Sequence, residues 1–155
     1  MVKNYVIIFV ILAVALPVLA QDAPEVQPEI QLSQSTFQPG GAGSMTVIFR
    51  IPEGYHMTPR AWGMFYLEFD PLTGINFSEP VYPPGEEYEG EFVFRGMTRV
   101  EVDFEIASDL PPGEYPVEME YGYQLCRETG DMACLMPQTG TVEFELIIVP
   151  GAGSP

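Results

Sequence analysis

Positive charge is scarce in this 155-residue sequence, which has six lysine and arginine residues against 22 aspartate and glutamate residues. The formal net charge is −16, and the one lysine, Lys3, lies near the N-terminus. Attraction to phosphates dominates the binding of proteins to nucleic acids and to anionic membranes, so this chain is repelled by both. The composition therefore argues against nucleic acid as a partner and against direct membrane binding, and the acidity favours solubility.

A hydrophobic run long enough to span a membrane is also lacking. The apolar stretch from Tyr5 to Ala20 is shorter than the ~20 residues of a membrane-spanning helix. Lys3 precedes it and small residues end it, which is the pattern of a signal peptide over residues 1–20, cleaved to leave Gln21 first. An uncleaved anchor is the alternative. No cysteine lies near the cleavage point, so a lipid anchor is not supported, and we expect an exported protein.

Helical periodicity is missing from the rest of the chain, where apolar and polar residues alternate instead. A period of two places one face of a strand inward and the other in water. The clearest such stretches are Thr98–Ala107, Tyr115–Tyr123 and Val142–Ile148. Shorter candidate strands are Ile30–Leu32, Met45–Ile51, Met64–Phe69 and Glu91–Arg95, separated by turns rich in proline and glycine. About seven strands predict an all-β fold, an antiparallel β-sandwich of immunoglobulin-like character.

The length of the chain allows one such domain. Residues 21–29 are polar and contain two prolines, so we expect a flexible leader there. The β-sandwich is predicted over residues 30–149, and residues 150–155 form a short tail.

Cysteine is scarce as well, with Cys126 and Cys134 as the only two. In an oxidising compartment two cysteines with no other partner should form a disulfide. Seven residues separate them, between the strand ending near Tyr123 and the one starting near Thr141. A loop this short stabilises a fold by only ~2.5 kcal/mol in the loop-entropy description. Spacing alone therefore leaves a structural staple and a redox-active pair equally open.

The residues around the pair carry a family resemblance. Tyr-Gln-Leu-Cys at 123–126 and Cys-Leu-Met-Pro-Gln-Thr at 134–139 resemble the segments that flank the redox pair in the N-terminal periplasmic domain of DsbD, a thiol:disulfide interchange protein family. Similarity extends to Ile-Pro-Glu-Gly-Tyr-His at 51–56 and Pro-Pro-Gly-Glu-Tyr at 111–115. This chain has a wider cysteine spacing than well-known members, and Met136 where they commonly have a proline.

The resemblance implies a periplasmic protein that passes reducing equivalents by thiol–disulfide exchange. Cys134 would join the partner and Cys126 would resolve the mixed disulfide. The implied partners are thioredoxin-like or cytochrome-maturation proteins and a membrane electron-transfer protein. Because this sequence ends at Pro155, we expect that membrane protein to be a separate chain and the domain itself to be a monomer without a cofactor or a resident metal.

Further site residues follow from the same resemblance and from adjacency. The polar segment 83–90 corresponds to a cap loop, which implies Tyr88 as an aromatic ring over the disulfide and Glu86 as an acid beside the thiols. The single histidine, His56, falls where the family has an aromatic residue lining the site. Tyr123 and Gln124 lie close to Cys126 in sequence. For each of these residues, a purely structural role is the alternative.

Two other function classes stay open. A non-catalytic adaptor would use the disulfide as a staple, since β-sandwiches serve many roles. A Cu(I)-binding protein would use the two cysteines with Met132 and Met136, and His56 if near, because thiol and thioether ligands select Cu(I).

The charges of the cysteine loop bear on its chemistry. The acids Glu128 and Asp131 lie between the cysteines, with only Arg127 as a counter-charge in the sequence. Nearby negative charge disfavours a thiolate, so the loop predicts cysteines that react slowly unless a particular partner docks.

Overall fold

The computed structural model describes residues 23–151, so the predicted signal peptide and most of the tail lie outside the described residues. Eleven strands form in this range, and a 3₁₀ turn covers Arg60–Trp62. The strands are β1 (Glu29–Leu32), β2 (Ala42–Arg50), β3 (Tyr55–Met57), β4 (Tyr66–Phe69), β5 (Ile75–Phe77), β6 (Glu86–Tyr88), β7 (Glu91–Val93), β8 (Met97–Ile106), β9 (Gly113–Tyr123), β10 (Leu125–Arg127) and β11 (Gln138–Ile148).

Two larger sheets enclose the core. One has the strand order β1-β2-β8-β5 and the other β11-β9-β4, and all paired strands are antiparallel. Two small antiparallel sheets, β3 with β10 and β6 with β7, complete the described fold. The predicted all-β, immunoglobulin-like antiparallel fold is confirmed.

Strand β8 shows why the sequence folds in this way. Its residues alternate between exposed and buried along the whole of Met97–Ile106, and Val100, Val102 and Phe104 are fully buried. Burying aliphatic and aromatic side chains contributes roughly 1.5–3 kcal/mol each. Apolar side chains of both larger sheets join one cluster, so the two sheets share a single core.

The long strands lie close to their predicted positions, but the number of strands is larger than the seven expected. Strands β3, β5, β6 and β10 are additional, and each has three residues, too few to display a period of two. Among residues 23–151, no helix has the length and apolarity needed to cross a bilayer.

Part of the predicted leader packs on the domain. Val26 is buried in the core, and its backbone N–H donates a hydrogen bond to the Tyr123 hydroxyl at 2.7 Å. The leader is thereby attached to the end of β9, close to the segment that carries the cysteines.

Candidate redox site

The predicted disulfide between Cys126 and Cys134 is present in the fold. Cys126 lies in the middle of β10. The chain then reverses direction, so that Cys134 forms an isolated antiparallel bridge with Cys126, and the two Cα atoms are 3.8 Å apart. Backbone hydrogen bonds flank the pair on both sides. Leu135 N–H donates to the Leu125 carbonyl at 2.8 Å, and Arg127 N–H donates to the Ala133 carbonyl at 3.1 Å.

The two cysteines differ sharply in exposure. Cys126 is 3% exposed, because β10 pairs with β3 and carries the buried Leu125 beside it. Cys134, on the loop that returns towards β11, is exposed. Of the two cysteines, Cys134 is therefore the one that another protein can reach first.

Both cysteines line a shallow cleft of ≈ 190 Å³. His56 from β3 and Tyr88 from β6 line the same cleft, so four of the sequence-predicted site residues come together there. The remaining walls come from the 3₁₀ turn, the β6–β7 hairpin and the cysteine loop, through Pro59, Trp62, Glu89, Glu91, Val93, Arg127 and Met132.

The segment 83–90, predicted as a cap loop, contains β6 and the turn of a β-hairpin whose second strand is β7; this hairpin is called the cap hairpin below. Glu89 and Gly90 connect the strands with φ values of 51° and 86°, which is the backbone of a tight two-residue hairpin turn. The centre of the Tyr88 ring lies 4.9 Å from that of the His56 ring, and the Arg95 guanidinium carbon lies 4.5 Å from the Tyr88 ring centre. The cap hairpin thus carries an aromatic side chain into the cleft that holds the disulfide.

Arg95 connects the cap hairpin to the cysteine loop. Its Nε donates to Glu128 Oε1, and its Nη1 lies 3.6 Å from Glu86 Oε2. The hydrogen bond to Glu128 is the main reason that the pKa of Arg95 is raised. Glu86 is therefore connected to the site by its ion pair with Arg95 and does not itself line the cleft that holds the two sulfur atoms.

Glu128 also contacts the histidine. Its Oε1 lies 3.2 Å from Nδ1 of the buried His56 side chain. The strand register places His56 directly opposite Cys126. The Glu128 carboxylate consequently contacts the imidazole of the residue that is paired with Cys126.

The expectation of a poorly compensated acidic loop is wrong. Glu128 forms an ion pair with Arg95, which lies 33 positions away and so could not be identified as its partner from neighbouring residues in the sequence. Asp131 accepts two hydrogen bonds from Arg127 Nη1, at 3.1 and 2.9 Å, and the bond from Arg127 lowers its pKa. Both acids between the cysteines thus have a cationic partner, whereas two further acids, Glu89 and Glu91, line the cleft. The disfavoured thiolate itself stays a prediction.

Tyr123 and Gln124 lie beside the cleft and do not line it. The Tyr123 hydroxyl accepts from Val26 N–H and donates to Gln138 Oε1 at 2.7 Å, and burial is the main cause of its raised pKa. Gln124 Nε2 donates to the Leu135 carbonyl at 2.9 Å, so this side chain holds the backbone next to Cys134. Both residues support the segment that carries the disulfide.

Of the two methionines proposed as copper ligands, only one lies in the cleft. Met132 is 51% exposed and lines the cleft with both cysteines and His56, whereas Met136 is 82% exposed and does not line it. Among residues 23–151, no group of three histidine, cysteine, aspartate or glutamate side chains could hold a metal ion.

Among the residues that the sequence did not single out, Arg95 and Trp62 make polar contacts at the site. Arg95 carries no motif, and only the scarcity of cations in the chain could have drawn attention to it. Trp62, the single tryptophan, lines the cleft, and its indole Nε1 donates to Glu91 Oε1 of the cap hairpin at 3.3 Å. Its uniqueness in the chain was the one signal that pointed to it.

Comparison with known proteins identifies a family and finds similar chains among the solved structures. The family described as thiol:disulfide interchange protein DsbD, N-terminal, matches residues 23–146. No curated protein matches the chain. The reduced DsbD N-terminal domain of Neisseria meningitidis is similar, with 24% identity and a TM-score of 0.44 over 79% of this chain and 84% of that chain. The family match includes both cysteines and all residues that line the cleft.

Proposed function

Because this chain belongs to the DsbD N-terminal domain family of thiol:disulfide interchange proteins, we propose that it is a periplasmic carrier of reducing equivalents. In its dithiol form it reduces a thioredoxin-like or cytochrome-maturation partner, and a membrane electron-transfer protein then reduces it again. One observation carries the proposal: a disulfide joins one buried and one exposed cysteine beside a cap hairpin.

The asymmetry of the pair supports separate roles for the two sulfurs. The Cys134 thiolate attacks a sulfur of the partner's disulfide, which forms a mixed disulfide and releases one partner thiolate. The Cys126 thiolate then attacks the Cys134 sulfur, and the second partner thiolate leaves. Two electrons and two protons pass to the partner, and the Cys126–Cys134 bond is formed again.

The cap hairpin supports a gated exchange. Tyr88 lies in the same cleft as the two cysteines, so a protein that docks over both of them displaces the hairpin. Exposed apolar side chains lie in or near the cleft, namely Trp62, Phe92 and Met132. Such a rim suits a partner that buries an apolar surface around its own cysteines.

A redox titration with thiol trapping tests the proposal. A carrier titrates well above about −300 mV, whereas a structural staple has a potential below that value. The Cys126→Ala variant should trap a thioredoxin-like partner through Cys134, and Cys134→Ala should trap none. Trapping only in Cys134→Ala would reverse the roles, and a bridge that resists reduction would leave the adaptor as the function.

The copper alternative has its own measurement. Met132 lies in the cleft with both cysteines, so a reduced protein that binds Cu(I) stoichiometrically should lose uptake in the Met132→Leu, Met136→Leu double variant. Uptake that is absent, or that is unchanged in this variant, would exclude a thiol–thioether copper site.

A further inference from the structure

We propose that His56 accepts the proton of the Cys126 thiol during exchange, an inference that rests on the proposed function. His56 and Cys126 are direct partners on β3 and β10 and line the same cleft. Side chains at directly opposite positions of antiparallel strands lie on the same face, with Cβ atoms about 4.5–5.5 Å apart. The imidazole is therefore the base that the sheet presents to this cysteine.

Burial makes such an acceptor necessary. Cys126 is 3% exposed and His56 is 7% exposed, so bulk water has little access to either residue. A thiol must lose its proton before its sulfur can attack a disulfide. For Cys126, the proton has to pass first to a neighbouring group of the protein.

Glu128 fixes the tautomer of the imidazole that this role requires. With His56 Nδ1 donating to Glu128 Oε1 at 3.2 Å, the lone pair of the neutral ring lies on Nε2. The carboxylate also stabilises the imidazolium that forms once the ring has taken a proton. Histidine is the side chain that ordinarily changes charge between pH 5 and 8, which suits proton exchange with a thiol.

Other charged and titratable groups surround the pair. Arg95 shares Oε1 of Glu128 with His56 and so limits the negative charge that the ring experiences. Tyr88 covers the ring from the cap hairpin. The remaining groups belong to β3, the cap hairpin and the cysteine loop, and they are Tyr55, Glu86, Glu89, Glu91, Arg127, Asp131 and Cys134.

The step balances within the protein and its partner. The proton of Cys126 passes to His56, and the resulting thiolate attacks the Cys134 sulfur of the mixed disulfide. The Cys126–Cys134 bond forms as the bond from Cys134 to the partner breaks. The departing partner thiolate takes the proton from the imidazolium, which returns the ring to its neutral form.

Reaction of the reduced protein with Ellman's disulfide separates the two steps. Attack by Cys134 releases the first thionitrobenzoate, and attack by Cys126 on the mixed disulfide releases the second. For His56→Gln we expect a second phase at least roughly tenfold slower, a first phase within about twofold of wild type, and loss of the pH inflection that the ring's own NMR titration shows. The chain has one histidine, so this titration is unambiguous.

Two further variants complete the test. Glu128→Gln keeps a hydrogen-bonding side chain but loses the charge that stabilises the imidazolium, so the second phase should be slower than in the wild-type protein. Glu87→Gln removes the same charge from the cap hairpin at a position that does not line the cleft, and both phases should be unchanged. An unchanged first phase in each variant shows that the fold is intact.

Failure of this inference differs from failure of the proposed function. A second phase in His56→Gln with wild-type rate and pH profile would overturn the role of His56 while leaving exchange intact. If Cys126→Ala trapped no partner while the wild-type protein released both thionitrobenzoates, the carrier function alone would be overturned.

Discussion

Replacing Arg95 by glutamine should open the cap hairpin. Arg95 holds the hairpin through the Tyr88 ring, 4.5 Å away, and through Glu86, 3.6 Å away, while Glu128 anchors it to the cysteine loop. A partly exposed cation–π contact contributes about 0.5–1 kcal/mol. The Glu86 side chain is 64% exposed, so its ion pair adds only ~0–1 kcal/mol after screening. The closed cap should therefore lose about 0.5–2 kcal/mol, equivalent to a roughly 2- to 30-fold larger open population.

Reduction by excess dithiothreitol measures this change. The rate can be followed by the fluorescence of Trp62, the single tryptophan, which lines the cleft with the disulfide. If the cap limits access, Arg95→Gln is reduced roughly 2- to 30-fold faster than wild type. Arg99→Gln is the control, because it removes an equal charge from an exposed position of β8. If Arg95→Gln were reduced no faster than this control, the proposal that Arg95 holds the cap hairpin closed would be refuted.

Three other predictions concern the scaffold. Glu118 faces Glu143 directly across β9 and β11, so Glu118→Lys should raise the free energy of unfolding by about 0.2–1 kcal/mol in urea denaturation, and less at high salt. A Cβ at Gly122 would overlap the Tyr66 ring, so Gly122→Ala should lower the same free energy by about 1–3 kcal/mol. Tyr66 donates a hydrogen bond to Glu120, which raises the pKa of Tyr66 to about 12. The stabilising effect of this bond is complete below about pH 10 and is lost as the pH rises through about 12, and Glu120→Gln should lower that pKa in an ultraviolet titration.

The long strands were predictable because they carry their own pattern. Residues 98–107 alternate strictly, and β8 is found at Met97–Ile106. Strands β3 and β10 were not predictable, since three residues show no period and their pairing joins Cys126 to His56, which is distant in sequence. Such short strands form because the surrounding sheets bring them together.

The site was predictable only in part for a related reason. The cysteines were found from composition, and Tyr88 and His56 from a resemblance, and all four line the cleft. The charge balance of the site was not predictable, because Arg95 reaches Glu128 from a distant part of the chain. Counting charges along the cysteine loop missed this cation, and only the folded arrangement supplies it.

The backbone hydrogen bonds on either side of the disulfide involve no sulfur atoms. We therefore expect the reversal of the chain between the two cysteines to persist when the bridge is opened, leaving both thiols face to face. Ring closure from such a preorganised geometry sacrifices little chain entropy and has a high effective molarity. The reduced protein should consequently close its own disulfide after attacking a partner without a large rearrangement of the chain.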